Sequence, residues 1–152
     1  MPIDKTDYII LDRLSRDSRT HCTDIAGELG VATSTIHKRV NQLYNEGVIE
    51  QFTIVLNPDK SGSNLTTFIG INVDPERKDE VLKVLNENEN VLEIYELLEP
   101  YDIFIKARTQ DIRELKEKVL KVITNTNGVL NTSSILTTRR HKENTCVIQG
   151  RE

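Results

Sequence analysis

The 152-residue sequence contains no tryptophan and only seven other aromatic residues, three Phe and four Tyr. A protein that stacks bases or planar ligands on an aromatic surface needs more rings than this, so that kind of surface is disfavoured. Cysteine is also scarce, because Cys22 and Cys146 lie far apart and match no metal-binding spacing. We therefore expect reduced thiols, no bound metal and no cofactor.

Long apolar stretches are missing as well. The sequence has no run of about 18 apolar residues, so it predicts no membrane-spanning helix. The first residues, MPIDKTDYII, do not combine a basic start with a long apolar region, as a secretory signal does. These features predict a cytoplasmic protein.

The balance of charge excludes a simple polycation. The formal net charge is −4. Residues 1–56 carry six Lys and Arg against eight Asp and Glu, and the rest of the chain is also acidic. Any contact with nucleic acid must therefore come from positive charge placed locally.

The first 49 residues predict three short helices. Asp4 is a suitable N-cap for the first helix, whose apolar residues recur on one face through Leu14. Thr23 is the predicted cap of the second helix, and Gly30 is suited to end it in the left-handed conformation. Short turns connect the helices, as in a helix-turn-helix.

The third predicted helix begins at a cap supplied by Thr33 or Ser34 and runs to about Glu46, before Gly47. Its inward positions follow the helical repeat of i, i+4 and i+7. They are Ile36, Val40 and Leu43.

The pattern changes after Gly47. Residues 48–56 have the composition of one extended stretch, and residues 57–64 are the most turn-rich part of the chain. We expect a helix-turn-helix domain over 1–49, a linking strand and loop over 50–64, and a second domain over 65–152.

The second domain alternates strands and helices. Strands are predicted over 66–73, 91–98, 101–107 and 129–138, with helices over 75–86 and 111–124. This β-α-β-β-α-β order gives an antiparallel sheet with two helices on one face, a ferredoxin-like fold, so the fold class is α+β. Residues 144–149 have an apolar centre that could add an edge strand.

The uncovered face of that sheet is a predicted partner surface. Helices on one side leave the other side to a second copy of the chain, so sheet-to-sheet dimerisation is expected. The apolar strand residues supply both faces between them, by alternation. They are Phe68, Ile69, Ile71, Val73, Ile103, Phe104 and Ile105.

The ordered set of motifs resembles the bacterial and archaeal Lrp/AsnC regulators, also called feast/famine regulatory proteins. The resemblance covers nearly the whole chain. It implies a winged helix-turn-helix followed by a ferredoxin-like sensing domain, a homodimer or octamer, and control by a small effector that is often an amino acid. The matching residues are Asp4, Asp7, Ile10-Leu11, Leu14, Asp17, Arg19, Ile25-Ala26, Leu29-Gly30, Ser34-Thr35, Arg39-Val40, Leu43, Gly47-Val48-Ile49, Leu56-Asn57-Pro58, Tyr101-Asp102, Gly128-Val129 and Thr132-Ser133-Ser134.

The third helix is the element expected to enter the major groove of double-stranded DNA. Lys38 and Arg39 are suited to phosphate or guanine, and Asn41 and Gln42 to adenine. The alternative is that the hydroxyl residues only cap helices and that the polar residues form a solvated face. The predicted DNA-binding residues are Thr23, Thr33, Ser34, Thr35, His37, Lys38, Arg39, Asn41 and Gln42.

The resemblance places the effector at the interface between subunits, beside the turn before the third strand. That turn usually reads Gly-Asp-Tyr-Asp, and here it reads Glu99-Pro100-Tyr101-Asp102. Asp102 could hold an ammonium group, whereas the alternative is a carboxylate that stabilises the hairpin. The altered turn leaves open constitutive DNA binding or a different ligand. The predicted effector-binding residues are Tyr101, Asp102, Thr132 and Ser134.

Two other functions are alternatives to a regulator that senses an effector. Siroheme decarboxylases have a similar two-domain architecture, but such an enzyme needs His and Arg around a tetrapyrrole, and the sequence has only His21, His37 and His141. No catalytic triad, phosphate loop or paired metal ligands appear, so an enzyme is not expected. The second alternative is a DNA-wrapping protein that senses no effector.

Overall fold

The computed structural model describes residues 2–148 of the chain. These residues form two compact units, one made of residues 2–55 and 142–148 and one spanning Leu56–His141. We call them the helical unit and the sheet unit. The elements are α1 (Lys5–Arg16), α2 (Cys22–Leu29), α3 (Thr33–Asn45), α4 (Pro58–Ser61), β1 (Leu65–Val73), a 3₁₀ turn (Pro75–Arg77), α5 (Lys78–Asn86), β2 (Val91–Glu96), β3 (Ile103–Thr109), α6 (residues 112–124) and β4 (Val129–Leu136).

A reciprocal capping box begins α1. The Asp7 amide donates to the Asp4 carboxylate at 2.9 Å, and the Asp4 amide donates to the Asp7 carboxylate at 3.1 Å. Two amide groups that the helix itself leaves unpaired are thus satisfied. The prediction that Asp4 caps this helix is confirmed.

Helices α1, α2 and α3 enclose the core of the helical unit. Each contributes the residues on one face, as the helical spacing predicts. Gly30 ends α2 with φ 65° and ψ 33°, in the left-handed region, as predicted. The fully buried core residues are Ile10, Ile25, Ala26, Ile36 and Leu43, with Val40 packed against them.

The predicted side-chain caps of α2 and α3 are wrong. The N-cap residues are His21 and Ala32, and neither makes a side-chain capping bond. Both helices begin earlier than predicted, so Thr23, Thr33 and Ser34 lie inside the first turn. An N-cap side chain reaches forward to the amides only from the non-helical residue that precedes the helix.

The linker forms no strand. Residues 50–57 have no assigned secondary structure, and a single helical turn, α4, follows within the stretch predicted to be turns. A strand requires a hydrogen-bonded neighbour, and the described part of the chain supplies none here. The helical unit consequently contains no strand within residues 2–55, so these residues form no wing.

The sheet unit confirms the predicted β-α-β-β-α-β order. Its strands lie in the order β2-β3-β1-β4, and every neighbouring pair is antiparallel. Odd-numbered residues of β1 and β3 face the helices, and even-numbered residues face away. The core between sheet and helices contains Ile69, Ile71, Val73, Ile103, Ile105 and Ala107 from the strands, with Val81, Leu85, Leu115, Val119 and Ile123 from α5 and α6.

Helix α6 is one continuous run with an irregular middle. The Asp111 side chain caps it by accepting from the Glu114 amide at 2.8 Å. Residues Leu115–Leu120 are π-helical, between short α-helical turns. Leu115, Val119 and Ile123 nevertheless lie four residues apart and are all buried, so the helix keeps one face on the sheet.

Several predicted strand bounds need correction. The second strand ends at Glu96 rather than residue 98, and the third begins at Ile103 rather than residue 101, because residues 97–102 form the connecting loop. The last strand ends at Leu136 rather than residue 138. Residues 144–148 form no strand, and Gln149, the last residue of that predicted strand, lies outside the described residues. No helix in the described part of the chain is long and apolar enough to cross a membrane.

Two glycines of the helical unit give a matched test of backbone conformation. Gly27 lies within α2, whereas Gly30 is left-handed, and an added Cβ would meet no atom within 4 Å at either position. We expect Gly27→Ala to stabilise the fold by about 0.5–1 kcal/mol, since Ala loses less conformational entropy than Gly in a helix. Gly30→Ala should destabilise it by roughly 1–2 kcal/mol. Urea unfolding measures both, and equal effects of the two changes would contradict this account.

Candidate functional site

The outer face of α3 is a polar surface. Ile36 and Leu43 lie in the core, and the positions on the opposite side of the helix are exposed. The N-terminus of α3 has no side-chain cap. The Thr35 amide donates to the Ala32 carbonyl at 2.9 Å, whereas the amides of Thr33 and Ser34 can meet an anion. The exposed predicted DNA-binding residues on this helix are Ser34, Thr35, His37, Lys38, Asn41 and Gln42.

Lys38 carries the positive charge of this surface. It forms no ion pair with the residues that the structure describes, and its side chain is exposed. The arginines of α1 differ, because Arg13 pairs with Glu28 at 2.6 Å and Arg16 with Asp12 at 3.1 Å. A net-negative unit thus presents an unneutralised cation on its outward helix.

Arg39, the neighbouring cation, is placed differently from the sequence prediction. Its guanidinium Nη1 donates to Asp4 Oδ2 at 2.7 Å and to Asp7 Oδ1 at 2.9 Å. The Asp7 side chain is 1% exposed and that of Arg39 is 31% exposed. Arg39 is therefore occupied by two carboxylates at the junction of α1 and α3 and does not join the exposed face with Lys38.

These contacts shift the ionisation of the groups involved. The Asp7 amide, and then the Arg39 guanidinium, lower the pKa of the Asp4 carboxyl. Asp7 and Asp4 raise the pKa of Arg39 in turn. Both shifts favour the charged forms of Asp4 and Arg39.

The remaining predicted DNA-binding residues lie around this face. Thr23 is exposed near the start of α2, and Thr33 is half-buried at the start of α3. Gln42 donates to Glu46 at 3.1 Å, so its amide is engaged within the helix. Sequence reasoning missed Asp4 and Asp7 as partners of Arg39, because helical spacing does not show which residue 32 or 35 positions away lies opposite.

The second candidate site is the loop of residues 97–102 beside the uncovered sheet face. The Tyr101 ring lies against Gly70, where an added Cβ would overlap it. Tyr101 stacks on Phe104 with ring centroids 6.4 Å apart, and Phe104 stacks on Phe68 at 5.9 Å. Gly70 was not singled out from the sequence, since its role appears only once Tyr101 is seen to cross it.

Asp102 fastens this loop to β1. Its carboxylate accepts a hydrogen bond from the Val73 amide at 2.9 Å, and its own amide donates to the Ile71 carbonyl at 3.1 Å. Asn72 donates from Nδ2 to the Pro100 carbonyl at 3.1 Å. Asp102 thus stabilises the hairpin, the alternative role in the sequence analysis, and its carboxylate retains lone pairs for a further donor.

Thr132 and Ser134 do not meet Tyr101 within one chain. Thr132 lies opposite Ile71 and Ser134 opposite Ile69 in the β1–β4 register, so both are on the helix side of the edge strand. Tyr101 lies over Gly70, on the other side. The four predicted effector residues are therefore divided between the two faces of the sheet.

Charged side chains border the aromatic part of the uncovered face. Lys106 pairs with Glu93 at 3.0 Å, and the Tyr95 hydroxyl donates to the same carboxylate at 3.1 Å. This hydrogen bond to Glu93 raises the pKa of Tyr95.

Within residues 2–148, no group of three His, Cys, Asp or Glu residues could hold a metal ion.

Two family models match the chain, one for each unit. Residues 3–50 match winged helix-turn-helix DNA-binding domains, and residues 66–147 match the Lrp/AsnC ligand-binding domain. The HTH-type transcriptional regulator FL11 of Pyrococcus furiosus is 34% identical over 143 residues, which is 94% of each protein. The chain belongs to the Lrp/AsnC family. It is thus a transcription regulator with a DNA-binding unit and a ligand-binding domain, as the resemblance implied.

Other members of the Lrp/AsnC family agree with this assignment. The HTH-type transcriptional regulator LrpA of Pyrococcus horikoshii is 45% identical over 93 residues, 61% of this chain and 66% of that one. The structure of Escherichia coli AsnC superposes with a TM-score of 0.86 at 27% identity, covering 96% of this chain and 99% of the other. Family membership places the chain among DNA-binding regulators rather than enzymes.

A more distant structure shares the fold alone. It is transcriptional regulator NMB0573 of Neisseria meningitidis, in complex with L-Met. It superposes with a TM-score of 0.87 at 22% identity, over 96% of each chain. The two-unit α+β architecture is therefore common to proteins with little sequence in common with this one.

Proposed function

We propose that this regulator reads a pseudo-palindromic DNA site with α3, acts as a homodimer or a larger homo-oligomer, and binds an amino acid beside Tyr101 and Asp102. The observation that carries the proposal is the outer face of α3. It combines exposed hydroxyl and amide side chains with Lys38, which has no ion pair within residues 2–148. The proposed setting is the cytoplasm.

The chemistry of α3 suits a duplex. Ser34 and Thr35 stand at its uncapped first turn, where hydroxyls and amides can meet a phosphate. Lys38 lies on the same side as Thr35, one helical turn along, and can reach a phosphate or guanine. His37 and Asn41 extend the face on the side of Lys38 away from Thr35. Because both halves of the sequence are acidic, this local surface must supply the attraction.

The uncovered sheet face supports self-association. Its aromatic row of Phe68, Phe104 and Tyr101 has no helix above it within the sheet unit. Tyr95 and Ile135 on the same face are 55% and 54% exposed. Two copies that stack these faces about a twofold axis would bury the row in both. A dimer can also present two α3 helices to half-sites about 34–36 Å apart.

The loop of residues 97–102 supports binding of an amino acid. Asp102 already accepts one backbone amide, and its remaining lone pairs can accept an ammonium group. Thr132 and Ser134 face the opposite side of the sheet, so we place them on the ligand only as residues of a second copy. The neighbouring rings of Tyr101 and Phe104 offer an apolar surface for the ligand's side chain. The L-Met complex of the distant structural neighbour agrees with this class of ligand.

The DNA-binding surface is tested by Thr35→Ala combined with Lys38→Ala. We expect the affinity for the chain's own promoter region to fall about tenfold or more, with a salt dependence shallower by roughly 0.9 for each lost phosphate contact. Fluorescence anisotropy at several salt concentrations measures both. Thr124→Ala with Lys121→Ala, on α6, is the matched control and should leave binding unchanged. Unaltered affinity in the α3 variant would show that α3 is not the recognition helix.

Self-association is tested by Phe104→Ser. Loss of a ring at the centre of the proposed interface should weaken the dimer by about 2 kcal/mol or more, roughly 30-fold in Kd. Sedimentation equilibrium gives the dissociation constant, and circular dichroism checks the fold. Ile112→Ser removes a side chain of α6 that is exposed elsewhere in the sheet unit, and should change nothing. The sheet-face assignment fails if both variants dimerise like the wild type.

The effector is tested by thermal unfolding in the presence of each of the twenty amino acids. A ligand that binds the native state raises Tm by mass action, so one or two amino acids should shift it. Asp102→Asn keeps an oxygen for the Val73 amide but removes the negative charge, and should abolish the shift. Glu99→Gln removes a charge from the same loop and should retain it.

If none of the twenty amino acids shifts Tm, amino-acid sensing is contradicted and a regulator without an effector is favoured. An absorbance scan of the purified protein tests the remaining alternative. A tetrapyrrole absorption band would favour the siroheme-decarboxylase type of protein instead.

A further inference from the structure

We infer that Asp4, Asp7 and Arg39, here called the α1–α3 cluster, position the recognition helix and thereby set its sequence specificity. This inference rests on the proposed role of α3 in reading DNA. In this inference Arg39 orients α3 and does not contact DNA. The two carboxylates of α1 affect DNA recognition through Arg39, without contacting DNA themselves.

The geometry of the cluster joins two helices at one point. Arg39 Nη1 lies 2.7 Å from Asp4 Oδ2 and 2.9 Å from Asp7 Oδ1. The same two carboxylates form the capping box at the start of α1. The N-terminus of α1 and the middle of α3 are therefore held by one set of directional hydrogen bonds.

Apolar packing alone does not fix the orientation of α3 to the same degree. Ile10 of α1 and Ile36 of α3 are fully buried in the shared core. The free energy of this apolar contact is roughly proportional to the buried area and has no preferred direction. A small rotation of α3 therefore changes that free energy little. Charge-assisted hydrogen bonds have defined distances and angles, so the same rotation breaks them.

The position of Arg39 in the chain connects the cluster to the DNA-facing residues. Lys38, which precedes it, is exposed, and Val40, which follows it, packs against the core. Successive residues of an α-helix are about 100° apart around the axis. A rotation that releases Arg39 therefore moves Lys38 and Thr35 relative to the duplex by the same angle.

The burial of Asp7 favours an Arg39 that stays paired with Asp7 over one that moves to a DNA phosphate. Its side chain is 1% exposed, so a phosphate that withdrew Arg39 would leave a buried carboxylate without its cation. Asp4, in contrast, is 50% exposed. Replacing Asp4 thus perturbs the cluster while the buried partner stays in place.

Electrostatics and positioning make opposite predictions for the two aspartates. Asp4→Asn or Asp7→Asn removes a negative charge from the DNA-binding unit, which by Coulomb attraction alone should tighten binding to every duplex. If the cluster positions α3, the same variants lose affinity for the specific site although a repulsive charge has been removed. The sign of the change separates the two explanations.

The experiment uses the full-length protein and two duplexes. One is selected by the wild type from a random-sequence library, and the other has the same base composition in shuffled order. Anisotropy titrations give both affinities and their ratio, at a temperature where circular dichroism shows each variant to be folded. The variants are Asp4→Asn, Asp7→Asn and Arg39→Lys.

Glu28→Gln is the matched control. It also removes a carboxylate from an ion pair between two helices, here Arg13 of α1 with Glu28 of α2 at 2.6 Å, and that pair does not include α3. The control should tighten binding to both duplexes equally and leave their ratio unchanged.

We expect both aspartate variants to keep or raise affinity for the shuffled duplex and to lose affinity for the selected one. The ratio should fall about tenfold, the equivalent of roughly one lost base contact. Arg39→Lys should lower the ratio as well, although it keeps the charge, because a single ammonium does not reproduce the guanidinium geometry. A change in stability alone would not alter this ratio for folded protein.

Other outcomes overturn the inference. Aspartate variants that behave like Glu28→Gln would show that the cluster contributes only charge. Wild-type specificity in Arg39→Lys would show that Arg39 acts as a cation and not as a positioning residue. If Asp7→Asn does not fold, Asp4→Asn decides. A wild type that cannot distinguish the selected from the shuffled duplex refutes the proposed function itself, and the inference with it.

Discussion

A four-stranded sheet has two faces, and the sheet unit, Leu56–His141, provides helices for only one of them. Helices α5 and α6 bury the odd-numbered residues of β1 and β3, which leaves Phe68 and Phe104 on the other side without a helix above them. Much of what we propose for the sheet unit depends on this one-sidedness. It gives a second copy a surface to cover, and it divides Tyr101 from Thr132 and Ser134 so that one chain cannot surround a ligand with all three.

The helical unit faces a different constraint, because it is acidic and yet belongs to a family of DNA-binding regulators. Three of its arginines form ion pairs with carboxylates of the same unit. They are Arg13, Arg16 and Arg39. Lys38 keeps its charge for solvent on the outer face of α3. Local presentation of charge, rather than net charge, is therefore what this architecture offers to a duplex.

The resemblance in sequence and the helical and strand periodicities were sufficient to predict the order of elements and the family. They also placed Ile36 and Leu43 in the core and Gly30 at the end of α2. They failed where the outcome depended on a distant partner. Arg39 has the spacing on α3 of a DNA-facing residue, and only the arrangement of α1 beside α3 shows that Asp4 and Asp7 accept its hydrogen bonds. The linking strand was likewise expected from composition, but the described residues provide no neighbouring strand to pair with it.

The sequence by itself determined the order of helices and strands in the two units, because the period of apolar residues decides which faces can be buried. It also determined that positive charge had to be local. Only the tertiary structure decided which distant groups meet: Asp102 with the Val73 amide, the Tyr101 ring with Gly70, and Arg39 with two carboxylates of α1. Such contacts join residues about 30 positions apart, and their geometry depends on how whole elements pack, which no local pattern along the chain specifies.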